Sequence, residues 1–248
     1  ALDIVEHVKG IEFTCKQVAG RVPVIAGTGS NDTAFAVKLS NEAEKAGADA
    51  LLMVTPYYNK TSQRGLVRHY RYIHDRVSKP IVLYNVPSRT GVDIKPETYA
   101  ELAEMPRVVA AKEANGNIAA FAKTMDLCGD KLDFYSGNDD QITALCALGA
   151  KRAALTGVSY EKGKVGFEMY DSTTDTFSSY FGEHLPVAFH GTGDIFASVL
   201  LGAQMRGDDL ITAARTAAEI HRHAQSSDFL QRLQIHNVVC LGSIEVYH

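Results

Sequence analysis

Short, unbroken apolar runs alternate along this chain with longer stretches in which apolar residues recur every three or four positions. The runs begin at Pro23, Leu51, Ile81, Val108 and Leu132, spaced 28, 30, 27 and 24 residues apart. A run without polar alternation predicts a strand covered on both faces, and a helix-period stretch between two such runs predicts a parallel βα crossover. Five strands are therefore expected over 23–26, 51–54, 81–84, 108–112 and 132–135. The first residues differ: Ile4, Val5, Val8, Ile11, Cys15 and Val18 keep helical spacing with no strand ahead of them. This reads as a chain that begins inside a βα unit.

Beyond the fifth run the pattern changes. Residues 141–150 suit a helix, and Arg152–Val158 is expected to add a sixth parallel strand. From Lys164 to Pro186, two apolar and aromatic runs, Val165–Tyr170 and Thr176–Tyr180, flank the polar segment Asp171–Asp175. That arrangement predicts an antiparallel hairpin. Two helices, Val199–Met205 and Asp209–Ile220, are expected around Gly207, and residues 223–248 match no pattern.

A hydrophobic fraction of 46% over 248 residues suffices for a sizeable core. The net charge of −4 leaves no basic surface for a phosphate backbone, which excludes nucleic acid and favours small metabolites. Cys15, Cys128, Cys146 and Cys240 are scattered without metal-ligand spacing and are expected as free thiols of a cytoplasmic protein. No charged-then-apolar leader and no run near the roughly 18 residues of a membrane span occurs, so no membrane association is expected. His221, His223 and His236 lack the i, i+4 spacing of a helical metal site, and no metal is expected there.

Polar clusters follow the apolar runs: Gly27–Asn31, Thr55–Asn59, Asn85–Gly91, Glu113–Asn117 and Ser136–Asp140. In parallel βα units all of these lie at the carboxyl ends of the strands, where (β/α)₈ barrels assemble their active sites. Turn and helix-cap roles account for many such residues, Asp139 and Asp140 among them. Lys112 and Tyr84 are harder to explain that way, because they end two successive apolar runs. Neighbouring parallel strands lie roughly 4.8 Å apart, so a phenol on one reaches a lysine on the next. A desolvated lysine with a phenol beside it is the chemistry of a Schiff-base site.

At these residues the chain resembles a known family. Val22–Ser30 (VPVIAGTGS), Val54–Lys60 (VTPYYNK), Tyr84–Gly91 (YNVPSRTG) and Lys112–Asn117 (KEANGN) are similar to the dihydrodipicolinate synthase and N-acetylneuraminate lyase group of class I aldolases. The synthase branch is the better match, over residues 1 to about 142. The resemblance implies a (β/α)₈ barrel, here about five of its units, and a pyruvate-dependent reaction through a covalent lysine imine, with no other cofactor. It implies that Lys112 forms the imine, Tyr84 transfers protons and Arg89 binds the carboxylate of an aldehyde such as aspartate semialdehyde. Gly137 falls at a substrate-binding position. Tyr58 completes the proton relay, and in this family that residue crosses into a neighbouring subunit, which implies a homo-oligomer. Family members carry two further βα units ahead of the position of Ala1, the second ending in a threonine-rich loop for the pyruvate carboxylate.

A second resemblance begins near residue 147. Gly149–Ser159 (GAKRAALTGVS) and Phe189–Ser198 (FHGTGDIFAS) are similar to the C-terminal part of pyridoxal kinases of the ribokinase superfamily. Such a match implies that Gly191 and Gly193 line a phosphate-binding helix start and that Asp194 is a general base, with ATP and Mg²⁺ required. The chain thus reads as a mosaic: residues 1–146 a partial aldolase barrel, 147–248 a kinase-like segment with an unmatched tail from about 223. Three functions follow: a Schiff-base aldolase, a pyridoxal-kinase-like phosphotransferase, or a fusion without turnover.

Overall fold

The structure is a computed structural model of the chain, described here for residues 3–183, 199, 203, 207–226 and 244–246. Two compact units divide between Gln141 and Ile142.

The first unit opens with helix α1 (Ile4–Val18), whose N-terminus carries a reciprocal cap. Asp3 Oδ1 accepts from the Glu6 amide at 2.9 Å, and Glu6 Oε2 accepts from the Asp3 amide at 3.2 Å. Five βα-type strands follow: β1 (Ile25–Gly27), β2 (Ala50–Val54), β3 (Ile81–Asn85), β4 (Val108–Glu113) and β5 (Asp133–Ser136). They pair in parallel in chain order, β1-β2-β3-β4-β5. The crossovers hold α2 (Thr33–Ala46), α3 (Gln63–His74), α4 (Pro87–Thr90), α5 (Pro96–Ala103) and α6 (Ile118–Cys128).

Consecutive strand residues Leu51, Leu52, Met53 and Ile81, Val82, Leu83 are all buried, so both sheet faces are covered. Leu39, Leu66, Tyr70, Ile73 and Leu102 supply part of that cover from the helices. Asn117 of the fourth polar cluster proves to be a helix cap, and so do Asp32 and Ser62 just past the first two clusters. Asp32 accepts from the Phe35 amide, Ser62 from the Gly65 amide and Asn117 from the Ala120 amide, at 2.9, 3.2 and 3.0 Å. One glycine is dictated by close approach: a Cβ on Gly29 would fall 2.4 Å from the Val54 amide nitrogen.

The second unit contains α7 (Ile142–Ala147), β6 (Arg152–Val158), β7 (Lys164–Asp171), β8 (Thr176–Glu183), α8 (Leu210–Ser226) and β9 (Ile244–Val246). The expected hairpin is present, with β7 and β8 antiparallel from Lys164↔Glu183 to Asp171↔Thr176. The expected sixth parallel strand is not. β6 forms over the anticipated residues but pairs antiparallel with both β7 and β9. Only residues 159–163 separate β6 from β7, too short for the crossover that parallel neighbours require. Phe167 and Met169 of β7 form an apolar cluster with Ala214 and Ala217 of α8, and Val199 packs against it. Val199 and Ala203 are both helical, as expected, and Gly207 before α8 has a φ of +96°.

Candidate active site

The carboxyl ends of the first four strands are stitched together by side chains. Asn31, after β1, and Asn59, after β2, exchange hydrogen bonds at 3.3 Å. Thr55, at the end of β2, donates to Thr90 Oγ1 in α4 at 3.0 Å, and both threonines are buried. Thr90 in turn donates to the Val92 carbonyl at 3.0 Å. These links fix the loops that carry Tyr58 and Arg89.

Lys112 of β4 lies between two tyrosines, Tyr84 of β3 and Tyr135 of β5, which are its Cα partners. The Lys112 amine sits 4.8 Å from the Tyr84 ring centroid. Tyr84 is half-buried; burial pushes its phenol above the usual range, and the nearby Arg89 guanidinium pulls it back down. Arg89 is exposed on the four-residue α4, which Pro87 starts and Gly91, with φ +70°, ends. Gly137 lies just past β5, where an added Cβ would sit 3.8 Å from Lys112 Cε. That is ordinary van der Waals contact, and it places Gly137 beside the lysine stem. Tyr58 stands apart from this group, with its side chain 90% exposed and its backbone in the left-handed region at φ +69°. Gly191, Gly193 and Asp194 lie outside the described residues.

Sequence reasoning missed the opposite face of the same two strands. Asn85 and Glu113, the next rung after Tyr84 and Lys112, are buried at 0% and 6% exposure. Asn85 Nδ2 donates to both Glu113 oxygens at 3.0 and 3.1 Å and to Asp93 Oδ1 at 2.9 Å. The Tyr99 phenol donates to Glu113 Oε2 at 2.8 Å, and the Asn115 amide to Oε1 at 2.8 Å. Asn85 Oδ1 accepts from the Ile94 amide at 3.1 Å. Burial pushes the Glu113 carboxyl up to about 7 against the pull of these donors. Burial, with Glu113 beside it, raises the Tyr99 phenol well above its ordinary value. The available signal was the polar residue following each strand-ending Tyr84 and Lys112. Tyr99, inside an amphipathic helix, gave none.

Among the described residues, no group of histidine, cysteine and acidic side chains is arranged to hold a metal ion. No described helix is long and apolar enough to cross a membrane. Cys15, Cys128 and Cys146 are free thiols, and Cys240 lies outside the described residues.

The dihydrodipicolinate synthetase family model matches residues 1–175, past residue 142, where the sequence reading ends the aldolase resemblance. The 4-hydroxy-tetrahydrodipicolinate synthase of Caldicellulosiruptor bescii is 56% identical over 144 residues, which are 58% of this chain and 48% of that protein. The synthase of Thermodesulfovibrio yellowstonii is 54% identical over 152 residues, 61% of this chain and 52% of its own. The chain spans about half the length of these curated relatives. Among solved structures, the Aquifex aeolicus dihydrodipicolinate synthase aligns with a TM-score of 0.60 and 32% identity, covering 96% of this chain and 68% of that one. The Acinetobacter baumannii synthase, solved in complex with pyruvate, gives 0.60 and 31%, covering 92% and 68%. A kinase likeness for residues 147–222 is not shown. Five parallel strands in chain order, with a lysine and a tyrosine on one rung at their carboxyl ends, therefore have the fold of a TIM-barrel synthase, and the chain belongs to the dihydrodipicolinate synthetase family.

Proposed function

We propose that residues 1–146 carry the Schiff-base site of an aldolase that condenses pyruvate with an aldehyde such as aspartate semialdehyde, feeding lysine and diaminopimelate synthesis. The Lys112 amine adds to the ketone carbon of pyruvate and water leaves, giving the imine. Loss of a methyl proton yields the enamine, whose carbon attacks the aldehyde, and hydrolysis returns the lysine amine. Tyr84 moves the protons, a role typically worth ~10²–10⁴-fold in rate. Arg89 offers a planar two-toothed contact to the aldehyde's carboxylate, and Gly137 takes a substrate-binding position beside the lysine stem. The exposed Tyr58 completes the relay when a second copy of the chain docks, making the active species a homo-oligomer. The imine is the only covalent aid; no separate cofactor enters.

The observation that carries this reading is the shared rung of Tyr84 and Lys112, with the amine 4.8 Å from the ring centre. Incubation with pyruvate and borohydride, followed by intact-mass measurement, tests it. A reduced adduct on the wild type that is absent from Lys112→Ala supports it. A soluble, cooperatively folded wild type without an adduct overturns it.

For residues 176–222, the part of the kinase-like stretch that lies past the family match, we propose descent from the C-terminal part of a pyridoxal kinase, on the strength of Phe189–Ser198. Gly191, Gly193 and Asp194 are then remnants of a phosphate site, and ATP and Mg²⁺ belong to that reading alone. Phosphorylation of pyridoxal by the wild type but not by Asp194→Asn would raise it from ancestry to activity. A protein that gives neither adduct nor phosphate transfer is a fusion without turnover.

A further inference from the structure

Two buried side chains, Asn85 and Glu113, sit one residue beyond the proposed proton-transfer and imine-forming groups. Side chains alternate faces along a strand, so Tyr84 and Lys112 share one face of the β3–β4 pair, and Asn85 and Glu113 share the other. On that second face the Glu113 carboxylate receives donors from three directions: Asn85 on the neighbouring strand, Tyr99 on α5 and the Asn115 amide of its own loop. Asn85 is in turn held by the Ile94 amide and by Asp93. Two backbone bonds carry the ladder past this rung, from the Ala114 amide to the Asn85 carbonyl at 2.9 Å and from the Gly137 amide to the Glu113 carbonyl at 3.3 Å. The side-chain knot therefore sits where the sheet stops restraining its strands.

A buried carboxylate is an expensive way to fill this space, because an apolar side chain would avoid its desolvation. What it supplies is fixed geometry: four donated hydrogen bonds to two oxygens set the distance and twist between the strand ends. We propose that Glu113, tied to Asn85 and Tyr99, is a positioning residue that sets the placement of Lys112 relative to Tyr84. This rests on the Schiff-base reading of Lys112. A reacting amine is sensitive to such placement, since a displacement of about 1 Å in a reacting group is worth up to ~10²-fold in rate.

The test uses the full chain and two variants, Glu113→Gln and Tyr99→Phe. Glu113→Gln keeps the shape but turns one acceptor oxygen into a donor that faces other donors. Tyr99→Phe removes a single O–H while the ring keeps its edge contact with Phe134 at 5.6 Å between centroids. Two readouts are taken on folded protein. The first is the borohydride-trapping rate as a function of pyruvate concentration. Positioning predicts a fall of roughly tenfold for Glu113→Gln and about threefold for Tyr99→Phe at saturating pyruvate, with half-saturation little changed. A purely structural knot predicts lower melting temperatures with trapping unchanged, and that result overturns the proposal. The second is the labelling rate of Lys112 with acetic anhydride, read by peptide mass against the exposed Lys38 as internal reference. It needs no pyruvate, so a wild type that fails to trap sinks the aldolase reading, while Lys112 labelling still decides on positioning. A labelling ratio altered by about threefold or more in the variants supports the proposal, and an unaltered ratio overturns it. If Glu113→Gln fails to fold, Tyr99→Phe decides alone.

Discussion

The Lys112 amine lies 4.8 Å from the centre of the Tyr84 ring, on the same rung of two neighbouring parallel strands. In Tyr84→Phe the ring stays and only the hydroxyl goes, so the proposed Schiff-base site predicts that the fold and the trapped pyruvate adduct persist while proton transfer is lost. Turnover with an aldehyde is expected to fall by ~10²–10⁴-fold. Single-turnover kinetics beside a trapping assay separates the two effects.

Gly29→Ala places a methyl group against backbone that cannot swing aside, 2.4 Å from the Val54 nitrogen. A loss of ~1–3 kcal/mol of stability is expected from this overcrowding. Urea unfolding measures it, with a lower midpoint at an unchanged slope as the expected result.

Two buried groups titrate in opposite senses. Glu113 is raised to about 7 in the fold, so between the ordinary carboxylate range and pH 7 the folded state holds the extra proton and stability falls as pH rises. His69, bonded to Thr33 and otherwise enclosed, is lowered by burial to about 4. There the unfolded state holds the extra proton, and stability is lost as pH falls from about 6.5 toward 4. Each effect is on the order of 3 kcal/mol, and the two offset each other between pH 4.5 and 6.5. Relative to the wild type, Glu113→Gln should therefore gain stability with rising pH across this window, and His69→Gln should lose it. Melting temperatures of the three proteins from about pH 4 to about pH 7.5 give both slopes.

Phe167→Ala empties a fully buried position between β7 and α8. It is expected to cost ~3–5 kcal/mol. The β6–β7–β8 strands and α8 should lose their slow amide exchange together, because the same cluster holds both.

β2 and β3 were the most legible strands because a strand covered on both faces must be apolar at every position, and Leu51–Met53 and Ile81–Leu83 are. The orientation of β6 was not legible. Its apolar content says strand, but parallel or antiparallel pairing is decided by the short connection to Lys164 and by partners distant in sequence, such as Glu245. Lys112 and Tyr84 could be found because a charged or phenolic group ending an apolar run breaks the local pattern. Glu113 looked like an ordinary loop residue, since its burial depends on Asn85 and Tyr99, 28 and 14 residues away. Asn117 was ambiguous for the converse reason: a capping side chain and a ligand-binding one have the same composition.

The alternation of faces at the ends of β3 and β4 gives this site its own frame of reference. Lys112 and Glu113 are adjacent in the chain, yet one lies beside Tyr84 and the other is buried against Tyr99. Inserting a single residue before Lys112 in β4 would put the new side chain opposite Tyr84, turn the amine toward Tyr99 and push the carboxylate past the end of the strand. Evolution can lengthen the loops beyond these strands freely, but within β4 it can change length only in steps of two.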